Sequence, residues 1–88
     1  MSVIYVIVKQ ITRYDEAFQY THDLQENVCA YATLAEAEEK LESMVVQHDL
    51  YHRDEYRKEA RSAQHVRFVR NDDRKDRSYF IERVAFGV

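Results

Sequence analysis

The stretch YATLAEAEEKLESM, residues 31–44, decides how this chain folds. Its Thr33 and Glu36 have the spacing of a capping box, in which each side chain satisfies a backbone N–H group that the first helical turn leaves unpaired. A helix is therefore predicted to begin at Thr33. Mostly apolar side chains then recur at intervals of three and four, which predicts one stripe that covers a sheet: Leu34, Ala37, Leu41, Met44, His48 and Tyr51.

Strands are predicted before this helix. SVIYVIVKQ, residues 2–10, is apolar at odd and even positions alike and rich in β-branched residues, which is typical of a central strand covered on both faces. NVCAYA, residues 27–32, predicts a short strand that leads into the cap. Residues 11–26 fit a period of two and a helical period, and we favour an extended conformation for them.

After the helix, residues 53–63 predict a second helical stretch, because no glycine or proline interrupts them. A bend near residues 49–53 is favoured, since one helix over residues 33–63 would span roughly 45 Å, longer than a domain of this size. HVRFVR, residues 65–70, and SYFIERVAF, residues 78–86, predict a hairpin with a charged loop. The predicted fold class is α+β in one domain over residues 1–88, with a small antiparallel sheet of three to four strands packed against one long or two shorter helices.

The N-terminal strand and residues 28–44 carry a resemblance to known proteins. A strand, the YxT sequence at residues 31–33, an EAE-rich helix and an apolar C-terminal strand resemble small uncharacterised single-domain proteins of bacteria and their phages. The resemblance implies this fold and a mobile-element setting. It implies no activity and transfers no catalytic residue.

Composition narrows the class of protein. The chain has 88 residues, of which 45% are hydrophobic and 33% are charged, as in ordinary globular proteins. Its one cysteine, Cys29, excludes an internal disulfide and predicts a buried thiol in a reducing compartment, the cytoplasm. The longest apolar run, Val3 to Val8, is far shorter than the roughly 20 residues that cross a bilayer, and no leader is apparent. So short a chain has a small core, which favours a homodimer.

The formal charge of -3 is unevenly distributed along the chain. Residues 1–52 hold three basic and nine acidic residues, whereas residues 53–77 hold nine basic and six acidic ones. Phosphate binding by the basic segment 53–77 is therefore an alternative function, with Arg53, Arg57 and Arg61 on one helical face. Interleaved carboxylates and an isoelectric point near 5.8 argue against it.

Features of a catalytic centre are missing from the sequence. Its one glycine, Gly87, is near the C-terminus, so no glycine-rich turn supplies an oxyanion pocket or a phosphate cradle. We therefore expect no enzyme and no cofactor. His48 and His52 stand one helical turn apart and make metal binding a further alternative, although two ligands do not complete a site.

Seven tyrosines in 88 residues are more than a small core needs. Tyrosine and arginine together are enriched at protein interfaces. The sequence therefore favours a non-enzymatic module that binds another protein, its own copy, or both, and a phage- or mobile-element-encoded modulator of a host complex is a natural role. The expected partner-binding residues are Tyr51, Arg53, Tyr56, Arg57, Arg61, Arg74 and Lys75.

Overall fold

The computed structural model describes residues 2–15 and 20–87. Five strands and one helix make up this part of the chain, so the α+β class is confirmed, with more strands and fewer helices than predicted. In chain order the elements are β1 (Ser2–Asp15), β2 (Tyr20–Tyr31), α1 (Leu34–His52), β3 (Tyr56–Ser62), β4 (His65–Arg70) and β5 (Lys75–Phe86).

The strands form one antiparallel sheet with the order β2-β1-β5-β4-β3. β1 pairs with β2 on one side and β5 on the other, as expected for a central strand. α1 connects the two edge strands and must therefore cross the sheet. Its 19 residues span about 28 Å, enough to pass over five strands spaced about 4.8 Å apart.

The helix begins where the capping sequence predicts. The Thr33 hydroxyl accepts a hydrogen bond from the Glu36 backbone N–H at 3.3 Å. The Glu36 carboxylate accepts from the Thr33 hydroxyl at 2.9 Å, rather than from a backbone N–H as the capping box predicts. The two residues thus fix the first turn of α1 between them.

The predicted second helix over residues 53–63 is wrong. α1 ends at His52, residues 53–55 form a turn, and β3 occupies Tyr56–Ser62. As a strand, this segment pairs with β4 and buries Tyr56 to 8% exposure. Pairing with the next strand along the chain, together with burial of Tyr56 against the core, has outweighed the tendency of residues 53–63 to form a helix.

The uncertain segment 11–26 is extended wherever the structure describes it. β1 continues to Asp15, and β2 begins at Tyr20 and therefore starts before the predicted residue 27. The two strands form a long hairpin with a register shift between Ile7 and Val8. Residues 16–19 of the segment lie outside the described residues.

The core lies between α1 and one face of the sheet. It contains Ile7, Leu41, Val45, Tyr56, Val66, Phe68 and Tyr79, with Cys29, Tyr31, Met44 and Ile81 at its margin. In the predicted helix stripe, Ala37, Leu41 and His48 are buried and two further residues are half-buried, but Tyr51 is 75% exposed. Cys29 is half-buried beside the core rather than fully buried.

Within residues 2–15 and 20–87, no helix or strand covers the opposite face of the sheet. The principal extents of 48 × 29 × 17 Å agree with two layers. Ile7 on the helix side of β1 and Val6 and Val8 on the opposite side are all buried, in agreement with the apolar pattern of the first strand. No helix in the described part is long and apolar enough to span a membrane.

Candidate functional site

The expected partner-binding residues are distributed over several surfaces. Tyr56 faces the core, and Arg61 on the same face donates a hydrogen bond to Glu42 of α1. Arg57, the residue after Tyr56 in the strand, lies on the opposite face and donates to Glu59 and Asp73. Tyr51 is exposed near the end of α1. The other three are Arg53 and Arg74, in turns, and Lys75, at the start of β5.

The basic segment 53–77 is largely ion-paired within the described part of the chain. Five of its nine cations contact carboxylates there: Arg57, Lys58, Arg61, Arg67 and Arg70. Because residues 56–62 are a strand, Arg53, Arg57 and Arg61 do not share a helical face. This segment alone does not form one continuous basic surface.

His48 and His52 lie close together, with ring centroids 4.9 Å apart and planes tilted by 46°. The His48 ring is 6% exposed and stacks on Phe68. Burial lowers the pKa of His48 to about 4, and the neighbouring Arg77 contributes to the shift. Among the described residues, no third ligand-type side chain completes a metal-binding group with them.

The sheet face away from α1 is apolar along its two central strands. Register places Ile4 opposite Val84, and Val8 opposite Phe80, with Val6 between them on the same side. We call Ile4, Val6, Val8, Phe80 and Val84 the uncovered face. Val8 and Val6 are only 2% and 8% exposed, and the other three are half-buried, so the apolar surface that this face presents to solvent belongs to Ile4, Phe80 and Val84.

A polar cluster borders the uncovered face. Asp76 is 6% exposed, and its carboxylate accepts from the Tyr14 hydroxyl at 3.0 Å and from Arg67 Nη2 at 2.8 Å. Burial raises the pKa of Tyr14, and the hydrogen bond to Asp76 raises it further. The cluster joins β1, β4 and β5 and satisfies a buried carboxylate, so we assign it a structural role.

Cations collect on the helix-side face of the sheet. Lys9 is opposite Tyr79 in register, and Arg77 is opposite Ile11 and Phe68, so both cations lie on the same face as the core residues Tyr79 and Phe68. Arg13 and Lys75 are opposite each other, farther along β1 and β5 on this face. Arg70 is two residues beyond Phe68 on β4 and shares the face too. We call these five residues, Lys9, Arg13, Arg70, Lys75 and Arg77, the cationic patch. All but Arg13 are half-buried.

Few acidic groups neutralise this patch. Arg70 pairs with Asp72 at 2.9 Å, and Arg77 lies over the Tyr56 ring at 5.6 Å with a buried Nε that has no described partner. Glu26 is opposite Lys9 in register, but the ion pairs of the described residues do not include these two. Burial lowers the pKa of Lys75, and the charges of Arg77, Arg13, Arg70 and Lys9 lower it further.

A cavity of about 450 Å³ adjoins the patch and is lined by Ile11, Arg13, Asp23 and Leu24. Leu24 is 62% exposed there. Lys9 and Arg13 were not among the residues predicted from the sequence to form a binding surface. The sequence feature that could have indicated them is the face formed by the odd-numbered residues of β1. It carries Tyr5 and Ile7 near the start of the strand but Lys9 and Arg13 towards its end.

Large apolar side chains are also exposed on α1, away from the sheet. Val46 is 57% and Leu50 71% exposed, and they stand one helical turn apart.

Comparison with family models, with curated proteins and with solved structures finds no match to this chain.

Proposed function

We propose that this chain is a small non-enzymatic protein-interaction module and that a protein partner covers the uncovered face. The observation that carries the proposal is the apolar character of β1 on both faces when only one face is covered by α1. Apolar side chains on a sheet surface gain about 25 cal/mol for each Å² that a partner removes from water.

A second copy of the chain is the first occupant that we propose for this face. A two-fold axis brings the same strip of β1 and β5 from each copy together, so an apolar strip is complementary to itself. The face also carries both signs of charge, with Glu82 exposed opposite Val6 and Arg67 half-buried on β4. Such an axis can place opposite charges together at the margin of the interface.

The partner-binding residues expected from the sequence remain part of the proposal at a second location. Tyr51 and Arg53 lie at the end of α1, next in sequence to the exposed Leu50. This end of the helix offers an aromatic, an aliphatic and a guanidinium group, which are side chains that protein interfaces use. A modulator of a host complex, encoded on a mobile element, could bind its target here while self-associating through the sheet.

Sedimentation velocity tests self-association directly. We expect a dimer of the purified chain, and a monomer when Phe80 and Val84 are both changed to lysine, because charged side chains cannot be buried in an apolar interface without a partner. Val46 and Leu50 changed to lysine provide the matched control, which should stay dimeric. Circular dichroism must show that all three proteins are folded.

A monomeric wild-type chain would overturn the second copy as occupant. Affinity capture from host lysate, with the same three proteins as bait, then tests a different protein partner. Loss of a stoichiometric protein only in the Phe80 and Val84 variant would support the uncovered face, and loss only in the Val46 and Leu50 variant would place the interface on α1. Capture of the same proteins by all three baits would overturn both locations.

A further inference from the structure

We infer that the cationic patch binds the phosphate groups of a single-stranded nucleic acid. This inference is independent of the protein interface, because the patch lies on the helix-side face of the sheet and the uncovered face lies on the other. The patch joins Lys9 and Arg13 of β1 to three cations from the C-terminal part of the basic segment 53–77, and it takes the place of the whole segment as the candidate anion surface.

The arrangement of the patch is the first argument. Its cations occupy three neighbouring strands, and Arg13 stands directly opposite Lys75 in register. Strand geometry spaces them over about 13 Å along β1 and about 10 Å across the sheet. Cations so close together repel one another, and an anionic ligand with several charges would relieve that repulsion.

The distribution of carboxylates is the second argument. The chain has 16 acidic residues, and carboxylates among them pair with four cations outside the patch and with Arg70 inside it. Lys9, Arg13 and Lys75 contact no described carboxylate. Half-buried cations without partners, such as Lys9 and Lys75, are costly to a small domain unless they bind something. The patch therefore has unused capacity for an external anion.

The position of the patch favours a phosphodiester over an acidic peptide. β5, at its centre, is hydrogen-bonded to β1 and β4 along both edges. An extended peptide laid over this face would leave its own backbone N–H and C=O groups unpaired. A phosphodiester chain has no backbone N–H donors to satisfy, and its bases can pack on apolar side chains.

The neighbouring cavity supplies that apolar surface. Ile11 and the exposed Leu24 line it together with Arg13, so a base lying there would remain within reach of a guanidinium group. The surface is open rather than a closed pocket with a phosphate cradle, which suits a strand better than a mononucleotide.

Fluorescence anisotropy with an oligothymidylate and an oligouridylate of about 15 nucleotides tests the inference. We expect at least one of the two oligonucleotides to bind. If the protein contacts five phosphates, the logarithm of the association constant should fall with the logarithm of the salt concentration at a slope of about -3.5. Changing Lys9 and Arg13 to glutamine should weaken binding roughly tenfold at low salt and reduce the slope to about -2.

The control variant changes Lys40 and Arg83 to glutamine, which removes the same charge outside the patch. It should bind like the wild type, and thermal melts should show that both variants are folded. No anisotropy change at protein concentrations up to about 100 μM, or equal weakening in both variants, would overturn the inference.

Two competitors complete the test. A duplex of the same length that binds as tightly, with the same loss in the Lys9 and Arg13 variant, would contradict the single-stranded ligand. Polyglutamate that binds through the same residues while both oligonucleotides fail would instead identify an acidic protein as the ligand of the patch.

Discussion

The imidazole ring of His48 lies flat on the phenyl ring of Phe68, with centroids 3.7 Å apart and planes inclined by only 16°. The edge of Tyr56 approaches the same imidazole at 5.1 Å. His48 thus acts as an aromatic core residue that joins α1 to β4 and β3. Its buried Nε2 has no described hydrogen-bond partner, which suits a neutral ring that is packed rather than one that binds a ligand.

The free energy of unfolding should therefore depend on pH through His48. Its pKa is about 4 in the folded state and near the usual 6.5 in the unfolded state, so the unfolded chain takes up this proton first as the pH falls. Stability should decrease from pH 6.5 to about pH 4, by at most about 1.4 kcal/mol per pH unit for one proton. Arg77, His52 and Lys58 oppose the proton and Asp49 favours it.

Urea unfolding across this pH range measures the effect. His48→Phe preserves the stacking on Phe68 and should give a flatter pH profile, whereas His65→Gln, a control on the sheet face away from α1, should keep the wild-type decline. A His48→Phe profile that matches the wild type would show that carboxylates, not His48, control the acid sensitivity.

Asp76 should be the most costly polar side chain to remove. Asp76→Ala leaves the Tyr14 hydroxyl and the Arg67 guanidinium without their shared acceptor, and we expect a loss of about 2–4 kcal/mol in the free energy of unfolding. Tyr14→Phe should cost about 1 kcal/mol. A double-mutant cycle on these two residues should show coupling, because they contact each other.

Titration of the Tyr14 phenol gives a second measurement of the same cluster. Asp76→Ala should move the pKa of Tyr14 back towards the usual 10, as followed by tyrosinate absorbance. Since the folded-state pKa is raised, the stability that this phenol contributes is present below pH 10 and is lost as the pH rises further. Additive stability losses with no change in the phenol titration would contradict the assigned hydrogen bond.

Leu41 and Leu50 form a matched pair for the energetic role of α1. Leu41 is fully buried in the core, whereas Leu50 is 71% exposed. Leu41→Ala should cost about 2–5 kcal/mol because it leaves a cavity, and Leu50→Ala should change the free energy of unfolding by less than about 0.5 kcal/mol. Equal losses at the two positions would mean that Leu50 is covered in solution, and the loss would then depend on protein concentration.

Local signals predicted the elements that depend on local interactions. Thr33 and Glu36 specify the start of α1, and the two-sided apolar pattern of residues 2–10 specifies an interior strand. The strands at residues 65–70 and 78–86 follow from alternation and turn chemistry, although β5 begins earlier, at Lys75. In each case the deciding residues are close together in sequence.

Residues 53–63 could not be assigned in this way. Their polar sequence permits a helix or an edge strand, and pairing with β4 together with burial of Tyr56 decides between them. The cationic patch has the same origin. Arg13 and Lys75 are 62 positions apart in the sequence and become neighbours only through the register of β1 with β5. Periodicity predicts which face a side chain takes but not which strand lies beside it.

The strand order also has a consequence during synthesis. β5 lies at the centre of the sheet and leaves the ribosome after the other four strands described, so until then the β1–β2 hairpin and the β3–β4 hairpin are separate halves linked by α1. Each half presents an unpaired inner edge, one on β1 and one on β4. Nascent chains are therefore open to pairing with one another, and insertion of β5 closes both edges in one late step.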